Sequence, residues 1–221
     1  MKRLIPILAT VLAICSCATN RYIAPDLAGN LDEVAILTPF TYVEFLDAKG
    51  EVAYDDSLSA VCAQLITNAL LQSPLPTGRM IPVDLAGEDP TFRDAIASLR
   101  EIDPKKAGEI PIPQELDRLL EENGQRYGVV VFANGFTRDR KDYGKKMALG
   151  LGMAILTTAI SLGTITAYSI PEKSILRTWI GILDAETDQF VFYNRRTAED
   201  AEPTKIKHVS DQIRRLLTDF E

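Results

Sequence analysis

Tyr127-Gly128-Val129-Val130-Val131-Phe132-Ala133 is apolar from end to end, rich in β-branched residues and short for a helix. A run of this kind buries both faces, so it is expected to be a central strand of a sheet covered on two sides. Immediately upstream, Pro113 opens a helical pattern with Gln114 and Glu115 in its first turn and Leu116, Leu119 and Leu120 on one face. Asn123-Gly124 stops it, glycine being favoured just past a helix end because it adopts positive φ without strain. A helix that feeds a buried strand is an αβ unit.

Working further upstream, Val34-Ala35-Ile36-Leu37 is a second short apolar run, ended by Thr38-Pro39, the pattern of a buried strand leaving its sheet at a proline. Tyr42 to Leu46 and Glu51 to Tyr54 flank Asp47-Ala48-Lys49-Gly50 and predict a small hairpin. Asp56 or Ser57 is placed to cap a helix whose apolar positions are Leu58, Val61, Cys62, Leu65, Ile66, Ala69 and Leu70. Cys62 falls on that stripe as a core residue, with no neighbour in sequence that lowers a thiol pKa. A short strand at Met80 to Val83 and a helix from Pro90 or Thr91 through Leu99 follow. Downstream, Ile175 to Leu183 and Gln189 to Asn194 flank Asp184-Ala185-Glu186-Thr187-Asp188 as a second hairpin, carrying Trp179, Phe190 and Phe192. From Thr204 a last amphipathic helix lines up Ile206, Val209, Ile213, Leu216, Leu217 and Phe220. The order is that of an α/β fold: one domain over 33–221 with a mixed sheet packed by helices.

One stretch does not belong to that pattern. Residues 147–171 carry no charge, and the run from Met147 to Ile170 is long enough to span a bilayer as a helix. Three readings stay open. It is a membrane helix with Gly150, Ala154 and Thr158 on a close-packing face. It is a membrane hairpin, because Leu149, Leu151, Met153 and Ile155 alternate with Gly150, Gly152 and Ala154. Or it is an apolar, glycine-rich excursion buried on the sheet or on a partner. In each case Leu149, Leu151, Met153, Ile155, Ile160, Leu162 and Ile165 are the membrane or partner contacts.

The chain opens with Met1-Lys2-Arg3 and an uncharged stretch from Leu4 to Ile14, a signal-peptide pattern over 1–16. Ile14-Cys15-Ser16-Cys17 places a small residue directly before Cys17 and the bulky Ile14 before Cys15, so cleavage is expected before Cys17. The competing readings are an ordinary secretory peptide or an uncleaved anchor. Residues 17–32, polar with Pro25 and Gly29, are expected to be a flexible tether. Losing Lys2 and Arg3 leaves 22 basic against 31 acidic side chains, a net charge of −9. Such a chain offers no strongly basic surface, so nucleic acid is not an expected partner. With Cys17 lipidated, as the resemblance of Ile14-Cys15-Ser16-Cys17 to the lipobox of bacterial lipoproteins implies, Cys62 is the one remaining thiol, and the fold must stand on its hydrophobic core.

Sites of known chemistry are not spelled out. Gly150-Leu151-Gly152 lacks the third glycine of a dinucleotide loop. Asp184, Glu186 and Asp188 are spaced like the start of a calcium loop, but Gln189 stands where its glycine belongs and Arg195 where its closing glutamate belongs. Those carboxylates are expected to be solvated turn residues. His208, the single histidine, is expected on the polar, solvent-facing side of the last helix. Asp55-Asp56 is explained by a helix start. No catalytic residue, cofactor, metal or small-molecule substrate is implied.

The segment Ile14-Cys15-Ser16-Cys17 resembles the lipobox of bacterial lipoproteins, which implies that Cys17 is lipidated. Ala18-Thr19-Asn20-Arg21 lacks the aspartate that marks inner-membrane retention in such proteins, which implies the outer membrane, facing the periplasm. Val34 to Phe40, Tyr127 to Phe132, and Trp179 to Asp188 leading to Phe190–Asn194 are together similar to three groups. These are the curli-secretion-channel lipoproteins, the lipoprotein activators of penicillin-binding proteins and the N-terminal domain of the Tol-system translocation protein. That resemblance implies a non-enzymatic, lipid-anchored envelope adaptor or assembly factor acting through a protein partner or as a homo-oligomer. A subunit of an oligomeric secretion pore and an envelope hydrolase are the alternatives. The single long insert departs from the separated membrane hairpins of the secretion channel.

Overall fold

The structure, a computed structural model, describes residues 21–25, 27, 31–47, 49, 51–73, 75, 77–83, 90–139 and 172–218. Eight strands form one mixed sheet: β1 (Arg21–Ile23), β2 (Leu31–Leu37), β3 (Phe40–Leu46), β4 (Val52–Tyr54), β5 (Thr77–Val83), β6 (Tyr127–Arg138), β7 (Ser174–Asp184) and β8 (Gln189–Glu199). The helices are α1 (Asp56–Leu71), α2 (Pro90–Ala97), α3 (Gln114–Glu122) and α4 (Ile206–Leu217), with 3-10 turns at Ser98–Glu101 and Pro104–Glu109. The expected α/β class and mixed sheet are therefore found.

β6 is the axis of the molecule. Gly128 to Ala133 are buried. On one face Val129, Val131 and Ala133 join Ile36, Ile180 and Phe192 beneath Cys62, Ile66 and Leu70 of α1 and Val209, Ile213 and Leu216 of α4. On the other, Val130 and Phe132 join Leu37, Leu183, Phe190 and Tyr193 against Ile96, Leu99, Leu116 and Leu120. Covering on both sides explains why this run does not alternate with polar residues.

Both β2 and β3 lie parallel along the same edge of β6, β2 at Val34↔Tyr127 to Ile36↔Val129 and β3 at Phe40↔Phe132 to Leu46↔Arg138. Four steps from Ile36 to Phe40 face three on β6, so one extra residue is absorbed at the Thr38-Pro39 break. That extra residue reverses the alternation and lets Val43 join the same core as Ile36. On the outer side β5 runs parallel to β2, with Pro82 tolerated because it stands on an edge strand, and β4 pairs antiparallel with β3.

Several boundaries differ from expectation. Asp55, not Asp56 or Ser57, caps α1, accepting the Leu58 N–H at 3.0 Å. Val61 and Ile206, read as buried helix positions, are 42% and 62% exposed; α4 starts at Ile206, so its first residue overhangs the sheet. Phe220 lies outside the described residues. The stretch 17–32, read as a tether, is not free along its length. Arg21–Ile23 is a strand on the edge of β8, and Leu27 and Leu31 are buried in the α1/α4 core. Three residues of polar-aromatic sequence carry no recognisable strand period, and their partner lies far along the chain.

Candidate functional site

The strand registers give the sheet two ends of different character. At the lower end β7 turns into β8 through Asp184–Asp188. Asp184 is buried there, not solvated as expected: its Oδ1 and Oδ2 accept from Arg126 Nε and Nη2 at 3.0 and 2.9 Å, and Oδ1 also accepts the Glu186 N–H at 3.0 Å. Glu186 pairs with the same guanidinium. Hydrogen bonding to Asp184 holds the proton on Arg126 more firmly than usual. Beside this pair, burial and then the charges of Asp188 and Glu121 push the Asp117 carboxyl above the ordinary aspartate range.

At the upper end β6 stops at Arg138 and β7 begins at Ser174, and the last paired positions are Thr137↔Ser174. The chain therefore leaves the sheet and re-enters it side by side. Leu149, Leu151, Met153, Ile155, Ile160, Leu162 and Ile165, together with Cys17, lie outside the described residues. Around the exit, Arg138 sits over the Phe136 ring at 5.4 Å, and Tyr42 and Tyr54 stack at 4.7 Å while 41% and 44% exposed. Asn134 Oδ1, Arg138 Nε, Ser174 Oγ and Trp179 Nε1 are enclosed without hydrogen-bond partners. Buried polar atoms of this kind are usually paired, so the upper halves of β6 and β7 have hydrogen-bonding capacity left over.

The corner after β8 is tied down by charge. Glu202 receives Lys173 at 3.4 Å and Lys205 at 3.0 Å, and the Lys173 N–H donates to Asp200 at 3.2 Å. Burial alone raises the Glu202 carboxyl, but hydrogen bonds from Lys205 and Lys173 outweigh it and hold it below the ordinary range. His208 is half-buried here, contrary to expectation. Its Nδ1 accepts the Glu202 N–H at 2.7 Å, an acceptor that leaves the neutral ring's proton on Nε2. It lines an open polar groove of about 410 Å³ with Arg196, Glu199, Gln212 and Arg215.

Cys62 and Asp55, singled out in the sequence, hold structural places. Burial pushes the Cys62 thiol up to about 12, which keeps it a thiol at neutral pH. Asp55 is a helix cap, and Asp139 sits at the exit of β6 with its N–H donated to Leu46 at 2.9 Å. Among the described residues no cluster of histidine, cysteine or carboxylate side chains is placed to hold a metal. No described helix is long and apolar enough to cross a membrane, which says nothing of crossing by strands.

No family model matches the sequence. No curated protein matches it either. Among solved structures, the chain is similar to the PelC dodecamer from Paraburkholderia phytofirmans at 9% identity and a TM-score of 0.43, covering 90% of this chain and 94% of that one. Protein XCC0632 from Xanthomonas campestris is similar at 9% identity and 0.32, over 90% and 85% of the two chains. The C-terminal domain of LpoB from Salmonella enterica is similar at 9% identity and 0.32, over 79% and 87%. At 9% identity and TM-scores below 0.5 these likenesses carry no argument about what the chain does.

Proposed function

We propose that the protein is a lipid-anchored adaptor or assembly factor of the bacterial cell envelope, held by Cys17 in the outer membrane with its α/β domain in the periplasm, and working through protein contacts without catalysing a reaction. The observation that most supports this reading is the pairing of Thr137 with Ser174. β6 and β7 are already joined along their full length, so the run from Met147 to Ile170 is not needed to connect the sheet. An uncharged segment of that size issuing from a completed strand pair is material for association. Arg138 Nε and Ser174 Oγ, enclosed without partners beside its root, point the same way.

The test of the anchor is acyl labelling in cells. Cys17→Ala is expected to abolish the label and membrane association, whereas Cys15→Ala leaves both intact; a label that survives Cys17→Ala overturns the reading. The same strand pairing also favours a second reading, a subunit of an oligomeric secretion pore, because a segment rooted between antiparallel neighbours is already set up to extend as a hairpin. Native mass of the detergent-extracted chain separates the two. A discrete ring-sized oligomer that is lost when Met147 to Ile170 is replaced by a short polar linker supports the pore, and a mass unaffected by the replacement leaves the adaptor.

A further inference from the structure

We infer that the protein does not hang from its lipid on a long tether but lies directly on the bilayer, with the β8 side of the upper end of the sheet turned to the membrane surface. This rests on the reading of Cys17 as the lipidated residue. Its physical content comes from β1. Arg21, Tyr22 and Ile23 pair antiparallel with Asn194, Tyr193 and Phe192, and the Ala24 N–H donates to Val191 at 2.8 Å. Tyr22 also lies against Gly108 of the second 3-10 turn, where a Cβ would collide with its ring. Leu27 and Leu31, 7% and 2% exposed, fasten the following residues into the core that contains Phe192. The chain is thus fastened to the folded body at Arg21 to Ala24, at Leu27 and at Leu31.

Four residues' span separates Arg21 from Cys17, which reaches at most about 14 Å even when fully extended. A free stretch from 17 to 32 would have reached about 50 Å by the same measure. Direction matters as much as length. β1 is antiparallel to β8, so going back towards Cys17 means going up β8, from Asn194 towards Glu199. Glu199 stands five residues above Asn194, about 17 Å at the rise of a strand. Cys17 is therefore confined to within about 14 Å of Arg21, and the direction of β1 at Arg21 aims the chain towards the level of Glu199, the end from which the chain also leaves β6 and re-enters β7. Acyl chains seated in a bilayer then draw that end against the headgroups, and the Asp184–Asp188 turn faces away.

The full lipidated chain, reconstituted in vesicles of phosphatidylethanolamine and phosphatidylglycerol that carry a headgroup nitroxide, tests this. A fluorophore is placed at Glu199→Cys or, at the other end, at Glu186→Cys. Cys62 is buried and does not compete for the label. Quenching several-fold stronger at position 199 than at 186 is the expected result, and equal quenching or the reverse order overturns the inference. A long Gly/Ser spacer inserted between Asn20 and Arg21 is expected to erase the difference; if the difference persists, the short reach does not orient the sheet and the inference falls. Acyl labelling of the same preparations keeps the premise separate. An unlabelled Cys17 defeats the anchor reading and the inference with it, while a lipidated chain without the 199/186 difference defeats the inference alone.

Discussion

The two ends of the sheet are made of the same strands and solve opposite problems. At the lower end the connection is a four-residue turn, 185–188, and the buried carboxylate of Asp184 is met by a guanidinium and a backbone N–H. The apolar layer beneath it is closed by Leu116 and Leu120, the latter packed where a side chain on Gly128 would stand. At the upper end two strands part company for 36 residues, from 138 to 173, aromatic rings stay half-exposed and enclosed polar atoms lack partners. The lower end is not wholly satisfied, since Asp117 Oδ1 is enclosed without a partner too, but it holds one such atom where the upper halves of β6 and β7 hold several.

Substitutions break this contrast if it is wrong. Leu120→Ala should have the largest effect, about 3 kcal/mol lost in chemical denaturation, because the side chain is 1% exposed and its removal leaves a cavity against β6. Next comes Asp184→Ala, which strips the Glu186 N–H and the Arg126 guanidinium of their acceptor at once; the melting temperature should fall by about 4 °C. An unchanged melting temperature would mean the lower end is held by packing alone. At the upper end, Tyr54→Ala removes only one partner of an exposed stack and should cost under about 1 kcal/mol. If it costs as much as Leu120→Ala, the upper end is as structural as the lower, and the functional contrast fails.

The same division separates what could be read in the sequence from what could not. β6, the β7–β8 hairpin and α4 were legible because each is long, periodic or β-branched, and buried by neighbours of the expected kind. Cys17 and the run from Met147 to Ile170 lie outside the described residues. What the sequence could not supply was register. The docking of Arg21–Ile23 on β8 joins residues more than 160 positions apart, and the burial of Asp184 depends on Arg126, 58 residues away. Polar residues at such places look solvated until the partner strand is known. His208 is the third case: the helical period put it on the polar face, but the chain before α4 folds back and offers it the Glu202 N–H. That β1, followed backwards, heads up the edge of β8 towards the end where the chain leaves β6 follows only from these registers.

The smallest predicted effect sharpens the contrast at the upper corner, where Glu202 ties Lys173 beside the re-entry of β7 to Lys205 before α4. Its carboxyl is held below the ordinary glutamate range in the folded protein, so the folded state binds the proton less readily than the unfolded chain does. The stabilisation is then fully present above the ordinary glutamate pKa of about 4.3 and is lost as pH falls from there through the lower folded value. Glu202→Gln removes the charge at every pH and should flatten that part of the stability curve, while at pH 7 it costs under about 1 kcal/mol because both lysines are partly solvated. Comparing denaturation midpoints of the two proteins across the acid range measures it. Parallel curves would show that the Lys173–Glu202–Lys205 bridge contributes nothing to holding the corner, and that packing around Pro203 and Ala201 alone fixes where β8 ends.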